Sequence, residues 1–185
     1  MRPYIAAALL ATAALPVFAQ QKLLPEQSEI AFTSRQMGVP VDGKFRKFDA
    51  QVAFDPKKPE AARISMTIDL ASVALGAAEV EAEVAKPDWF STRQFPQASF
   101  QSTTVKPLGG NRFDVAGKLG IKGTSRDVVV PVSLSQAGGS TTASGSFTIK
   151  RLDFRIGDGD WKDTSMVAND VQVKFKLTLA GVPAL

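Results

Sequence analysis

Hydrophobic and polar residues alternate one by one through most of this chain, a period of two that marks strands with one buried face. The last run is the cleanest: Val171, Val173, Phe175, Leu177 and Leu179 face one way, Gln172, Lys174, Lys176 and Thr178 the other. The same rule groups Ile30 with Phe32, Ile64 with Met66, Ile68 and Leu70, and Ala98 with Phe100. It also groups Phe113, Val115, Leu119 and Ile121, then Val128, Val130, Val132 and Leu134, then Phe147 and Ile149. Turn residues separate the runs at Asp55-Pro56, Gly109-Gly110, Lys122-Gly123-Thr124, Gly138-Gly139 and Gly157-Asp158-Gly159-Asp160. Short strands at even spacing predict an all-β sandwich or barrel.

One stretch changes phase. Val41 and Phe45 share one parity, whereas Phe48, Val52 and Phe54 share the other. A one-residue slip would turn every side chain outward, so a bulge or sharp bend is predicted near Arg46-Lys47. The only helical pattern is Ala77 to Lys86, with Val80 and Val84 on one face, Glu79 and Glu83 on another, and Pro87 as the stop. The aromatic stretch Asp88-Trp89-Phe90 to Phe95-Pro96 follows. Helix and loop together are expected to cap one mouth of a barrel. The tail after Ala180 is expected to fray.

The N-terminus reads as an export signal. Arg2 precedes the apolar run Ile5 to Phe18, and Val17-Phe18-Ala19 sets small residues at the cleavage positions. The expected division is a signal peptide over 1–19 and one barrel domain over 20–185, located in the periplasm. The formal net charge is +4, and loss of Arg2 lowers it by one. The basic residues are scattered, and Tyr4 is the only tyrosine. Nucleic-acid surfaces need clustered cations with stacking aromatics, so no nucleic-acid partner is expected.

The chain has no histidine and no cysteine. Without them the usual general base and the usual zinc, copper and haem ligands are missing. Asp158, Asp160 and Asp163 form a loop of carboxylates, but the later glycine and bidentate glutamate of a calcium loop are absent, so no metal is expected. Serines are plentiful without a marked base beside them, and no glycine-rich loop opens a helix. An enzyme is therefore not expected. Arg151 and Asp153 are expected to form an ordinary surface pair, with an ion pair at the barrel mouth as the other option. Arg35, Lys44 and Arg46 read as a solvated strand edge, with a phosphate contact as the other option.

The inward face supplies candidate walls for a lumen: Phe32, Phe45, Phe54, Met66, Phe100, Phe113 and Phe175. The alternation alone does not separate a cavity from a barrel filled by side chains, because both bury the same face.

Six landmarks stand in order along residues 28–154: Ser28-Glu29-Ile30-Ala31-Phe32 with Gly43-Lys44-Phe45; Phe48-Asp49-Ala50 with Phe54-Asp55-Pro56; Ile68-Asp69-Leu70-Ala71-Ser72; Trp89-Phe90 with Phe95 to Ser102; Val115 to Gly123; and Ile149 to Phe154. In these the chain resembles the YceI family of exported proteins. The resemblance implies an eight-stranded antiparallel, lipocalin-like barrel with one short capping helix, carrying a polyisoprenoid lipid or isoprenoid quinone and no covalent cofactor. On that basis Ile68, Trp89 and Phe154 join the wall residues as candidate ligand contacts. The segment Gly157 to Thr164 with Trp161 looks like the form of the family found beside membrane cytochromes of the b561 type. An accessory role in electron transfer, with transient contact to an inner-membrane cytochrome, is thus the alternative function. A packed, ligand-free stress protein is a third, and a homodimer is a further expectation. Two departures stand out: the alanine-rich Ala77 to Ala85 stretch, and Arg35-Gln36 where the family often has a histidine.

Overall fold

The computed structural model describes residues 21–185. The predicted signal peptide, 1–19, lies outside the described residues. Eleven β segments form one antiparallel sheet that closes on itself. They are β1 (Gln21–Leu23), β2 (Glu29–Gln36), β3 (Val39–Phe45), β4 (Phe48–Ala53), β5 (Arg63–Asp69) and β6 (Val73–Ala74). The long strands β7 (Gln97–Gly109), β8 (Arg112–Ile121), β9 (Thr124–Ala137), β10 (Ser140–Lys150) and β11 (Asp170–Ala180) follow. The segments make eight staves, because β1 and β2, β3 and β4, and β5 and β6 are each one strand broken in the middle. The barrel closes where β11 pairs with β1 and β2 on its far edge.

Two of the three breaks are bridged by a buried hydroxyl residue. The β3–β4 break falls at Arg46-Lys47, where the phase slip predicted it. Ser72 fills in for the missing ladder: its carbonyl accepts from the Arg46 N–H at 3.0 Å and its Oγ from the Lys47 N–H at 3.0 Å. At the β1–β2 break, a 3-10 turn at Pro25–Gln27 interrupts the strand. Opposite it, the Thr178 N–H donates to Ser28 Oγ at 2.9 Å and its hydroxyl donates to the Gln27 carbonyl at 2.9 Å. Ser72 and Thr178 are both buried. Without these bonds, buried backbone groups at the bends would be left unpaired. A further register shift between Ser102 and Thr104 in β7 brings Val105 inward on the parity opposite to Phe100.

The outer face is polar and carries cross-strand pairs. Lys118 opposes Asp127 at 2.9 Å and Lys150 opposes Asp170 at 2.9 Å. Such exposed pairs contribute about 0–1 kcal/mol each. They favour this register over one slipped by a residue.

The lower end is shut by the C-terminal tail, contrary to expectation. Val182 is buried among Leu23, Leu177 and Leu179. The Gln136 amide donates to the carbonyls of Val182 at 3.3 Å and Pro183 at 3.1 Å. An apolar residue just past the strand end thus docks instead of fraying. The upper end is covered by the short helix α1 (Ala78–Val84), the aromatic loop after it, and the segment between β10 and β11.

Candidate functional site

The barrel is hollow in two chambers set end to end. The lower chamber encloses about 150 Å³ and no polar atom faces it. The upper one encloses about 250 Å³ and has a few polar groups on its wall. A belt of Ile30, Ile68, Leu119, Phe147 and Val173 lines both, so the chambers meet at this waist. Many inward side chains, among them Met66, Phe100, Phe147 and Phe175, are only half-buried although they point into the barrel. Their free surface borders the chambers and is not packed against protein.

Large residues line this hollow without filling it because several lie flat on glycines. The Phe32 ring lies over Gly43 and the Phe175 ring over Gly145, each its direct partner in the ladder. The Phe100 ring lies over Gly117 on the neighbouring strand, where an added Cβ would stand 2.5 Å from the ring. A glycine lets a ring drop onto the sheet, and the lumen keeps its width.

Nine of the ten candidate ligand contacts line the hollow. Phe32, Phe45, Ile68 and Trp89 lie on the upper wall. Phe54, Met66, Phe100, Phe113 and Phe175, with Ile68 again, lie on the lower. Phe54 and Phe113 meet edge to face, ring centres 5.3 Å apart. Phe154 is the exception. It sits in the 3-10 turn Arg151–Phe154, 2 % exposed, packed with Leu70, Ile149 and Ile156 under the cap. Having left the strand, it no longer follows the alternation that points side chains at the lumen. Wall residues outside the predicted set include Leu119, Phe147 and Val173 at the waist, Phe90 on the cap, and Trp161. The first three share the apolar face of their strands, so the period carried that signal. Trp161 belongs to a loop, where no period applies.

Arg151 overturns the expected surface pair. It is 2 % exposed and donates to five carbonyls: Ala168 from Nε (3.1 Å), Ile156 and Gly157 from one terminal nitrogen (2.9 and 3.1 Å), and Trp161 and Val167 from the other (2.6 and 2.7 Å). A guanidinium carries five N–H groups, so all are engaged. Burial holds its pKa below the usual value. The guanidinium lies against Gly157, whose φ of +81° and lack of a side chain both allow the approach. Arg151 thus fastens the whole β10–β11 connection over the upper chamber.

The cap has a second buried cation. Lys122 donates to the Arg155 carbonyl at 2.6 Å and lies 3.6 Å from Asp158. Burial pushes its pKa down, against the pull of Asp158. Asp158 is thereby paired, and Asp163 accepts from the Ser165 N–H and hydroxyl at 2.8 and 2.7 Å. Those bonds hold the Asp163 carboxyl below its usual pKa. Among the described residues, no three acidic side chains gather as a metal would need.

Elsewhere in the cap, the Trp89 and Trp161 rings meet tilted at 50°, with centres 5.3 Å apart. Phe90 meets Phe45 edge-on at 6.1 Å. The backbone N–H groups of Gly157 and Asp158 both donate to the Asp88 carbonyl at 2.8 Å, which ties the two cap segments together.

Comparison with known proteins agrees with this architecture. The model of the YceI-like domain matches residues 22–179. The crystal structure of Burkholderia cenocepacia BcnA superposes with a TM-score of 0.82 and 46% identity, covering 84% of this chain and 98% of that one. A polyisoprenoid binding domain from Saccharophagus degradans, implicated in plant cell wall breakdown, superposes with a TM-score of 0.70. At 17% identity, over 89% of this chain and 99% of that one, it shares the fold. The UPF0312 protein of Azotobacter vinelandii is 36% identical over 88 residues, which is 48% of this chain and about half (46%) of that protein's length. The barrel with its hollow, its capped upper end and the family model over nearly all the described residues lead to one statement: the chain belongs to the YceI-like family.

Proposed function

We propose that this protein is an exported carrier that holds one slender isoprenoid lipid in its lumen, with the tail in the lower chamber. The observation that carries this reading is the pair of apolar chambers end to end, kept open by phenylalanine rings laid on glycines. An apolar cavity of about 150 Å³ stays dry and accepts an apolar guest. The hollow is narrow and long, so it suits a chain better than a compact ring. A strand of eleven residues such as β11 rises about 36 Å. With the tilt of barrel strands, that leaves room for several prenyl units along the axis. Each buried CH₂ contributes about 0.8 kcal/mol, so affinity accrues along the chain without specific contacts. The role is one of binding, and it includes no catalytic step.

Titration of delipidated protein with farnesol, geranylgeraniol and solanesol tests the reading. Affinity should rise with chain length while the added units still fall within the two chambers. Phe147→Trp at the waist should spare farnesol and abolish the gain from the longer chains. Absence of saturable binding for all three alcohols would overturn the proposal.

A further inference from the structure

The lower chamber is bordered by a segment that has left the barrel ladder. β11 ends at Ala180, and Gly181, with a φ of +79°, turns the chain out of the strand direction, a conformation that favours glycine. Val182 follows. It is buried against Leu23, Leu177 and Leu179, and it lines the lower chamber. Other lining residues at this end, such as Phe113 and Leu134, stand on paired strands. Val182 is different: its place depends on what holds the C-terminal segment.

One side chain does so. Gln136 continues the inward parity of Val130, Val132 and Leu134 on β9, a polar residue where the alternation calls for an apolar one. Its amide nitrogen donates to the Thr141 hydroxyl at 3.0 Å, the Val182 carbonyl at 3.3 Å and the Pro183 carbonyl at 3.1 Å. Its carbonyl accepts from the Leu185 N–H at 3.3 Å. An amide offers two N–H groups and one carbonyl, so Gln136 is fully engaged. β9 stands two strands from β11 in the sheet, so this clasp holds the segment across β10. Thr141 is 1 % exposed and lines the chamber, and its hydroxyl is taken up by Gln136, so no polar atom faces the chamber.

Affinity for an isoprenoid accrues with each buried CH₂ and needs no specific contact. In such a site a longer chain of the same chemistry is rejected only by a steric stop. A chain longer than the hollow must leave units in water or push Val182 off its clasp. We propose that Val182, clasped by Gln136, is the stop that sets the length of isoprenoid the lumen accepts. The proposal rests on the lumen reading above and adds to it a length limit imposed by the protein's own C-terminal segment.

The probes are all-trans prenyl alcohols in single-unit steps from farnesol to solanesol, titrated into delipidated protein. In the unaltered protein affinity should rise with each unit and then level off at one length. Val182→Phe keeps the clasp and thickens the stop, so it should lower that length by about one unit, since added volume takes space from the chamber. Ending the chain at Gly181 should raise it by about one unit or more, since no stop remains. Gln136→Ala in the full chain, where only the clasp is lost, should do the same. Farnesol, the shortest probe, should bind all four proteins alike. Val182→Phe and Gln136→Ala keep the whole chain, so they decide the matter even if the shortened protein fails to fold. A levelling length unmoved in Val182→Phe and Gln136→Ala would overturn the stop. So would an affinity loss equal at every chain length, the mark of a segment that only stabilises the barrel. Failure of every alcohol to bind the unaltered protein would instead overturn the lumen reading, and the stop with it.

Discussion

Gly43 of β3 stands directly opposite Phe32 of β2 in the ladder, and the Phe32 ring occupies the space that a side chain on Gly43 would take. Only side chains, Phe32 and Leu75, crowd that space, and no backbone atom is among the nearest contacts. A methyl group at Gly43 therefore pushes the ring into the upper chamber without breaking the ladder. Gly43→Ala should cost about 1–3 kcal/mol, the range for overpacking, and should reduce binding of farnesol. Adding Phe32→Leu should restore part of both, because the two residues share one space. Independent, additive effects in a double-mutant cycle measured by urea unfolding would contradict the ring-on-glycine arrangement.

Phe100 separates a hollow barrel from a filled one. It borders the lower chamber and is half-buried. In a solid core, Phe→Ala costs about 3–5 kcal/mol. Here one side of the ring faces the hollow, so Phe100→Ala in delipidated protein should cost about 1.5–3 kcal/mol and should weaken lipid retention. Gln101→Ala, on the exposed outer face, should do neither. Urea unfolding paired with lipid content after purification checks both. A large stability loss with unchanged lipid content would mean that Phe100 is core.

Much of this was readable in the residues. The period of two located the lumen-facing side of β5, β8, β10 and β11, because a barrel with one apolar face leaves no other place for those side chains. The slip between Phe45 and Phe48 gave away the bend, since two apolar runs of opposite parity can share one lumen only through a break. The hollow itself was not readable. Whether Phe175 fills the barrel or lies on its wall depends on Gly145 on the neighbouring strand, a pairing that periodicity does not encode. The burial of Arg151 is hidden from the sequence for a similar reason. Its partners are backbone carbonyls of a loop, and no side-chain identity in the sequence announces them. The same holds for the docked tail, where Val182 is held by a glutamine far away in the chain.

Arg151 should matter more for stability than any surface charge. Arg151→Met leaves five carbonyls without their donor, three of them (Ile156, Gly157 and Val167) in buried bonds and two (Ala168 and Trp161) in part-buried ones. Each unsatisfied group costs about 1–3 kcal/mol, and relaxation of the loop recovers part, so a net loss of at least about 4 kcal/mol is expected. Arg151→Lys, with three donors in place of five, should lie between. Thermal and urea unfolding of the two variants give the order. A loss under about 1 kcal/mol for Arg151→Met would show that the cap does not depend on this residue.

Export is a further expectation. The pattern Val17-Phe18-Ala19 places cleavage after Ala19. Protein recovered from the periplasm of a producing bacterium should begin at Gln20 by N-terminal mass analysis. Recovery of a membrane-bound form that keeps Met1 would contradict cleavage and release of the exported chain.

The central claim is that the lumen holds an isoprenoid, and the most direct test is to look inside it. Mature protein purified from its native envelope, without detergent, is extracted with organic solvent, and the extract is analysed by mass spectrometry against protein amount. The expected result is one isoprenoid lipid at close to one molecule per barrel, lost in parallel from the Phe100→Ala variant. An extract with no isoprenoid, from protein whose unfolding shows the native transition, would contradict it.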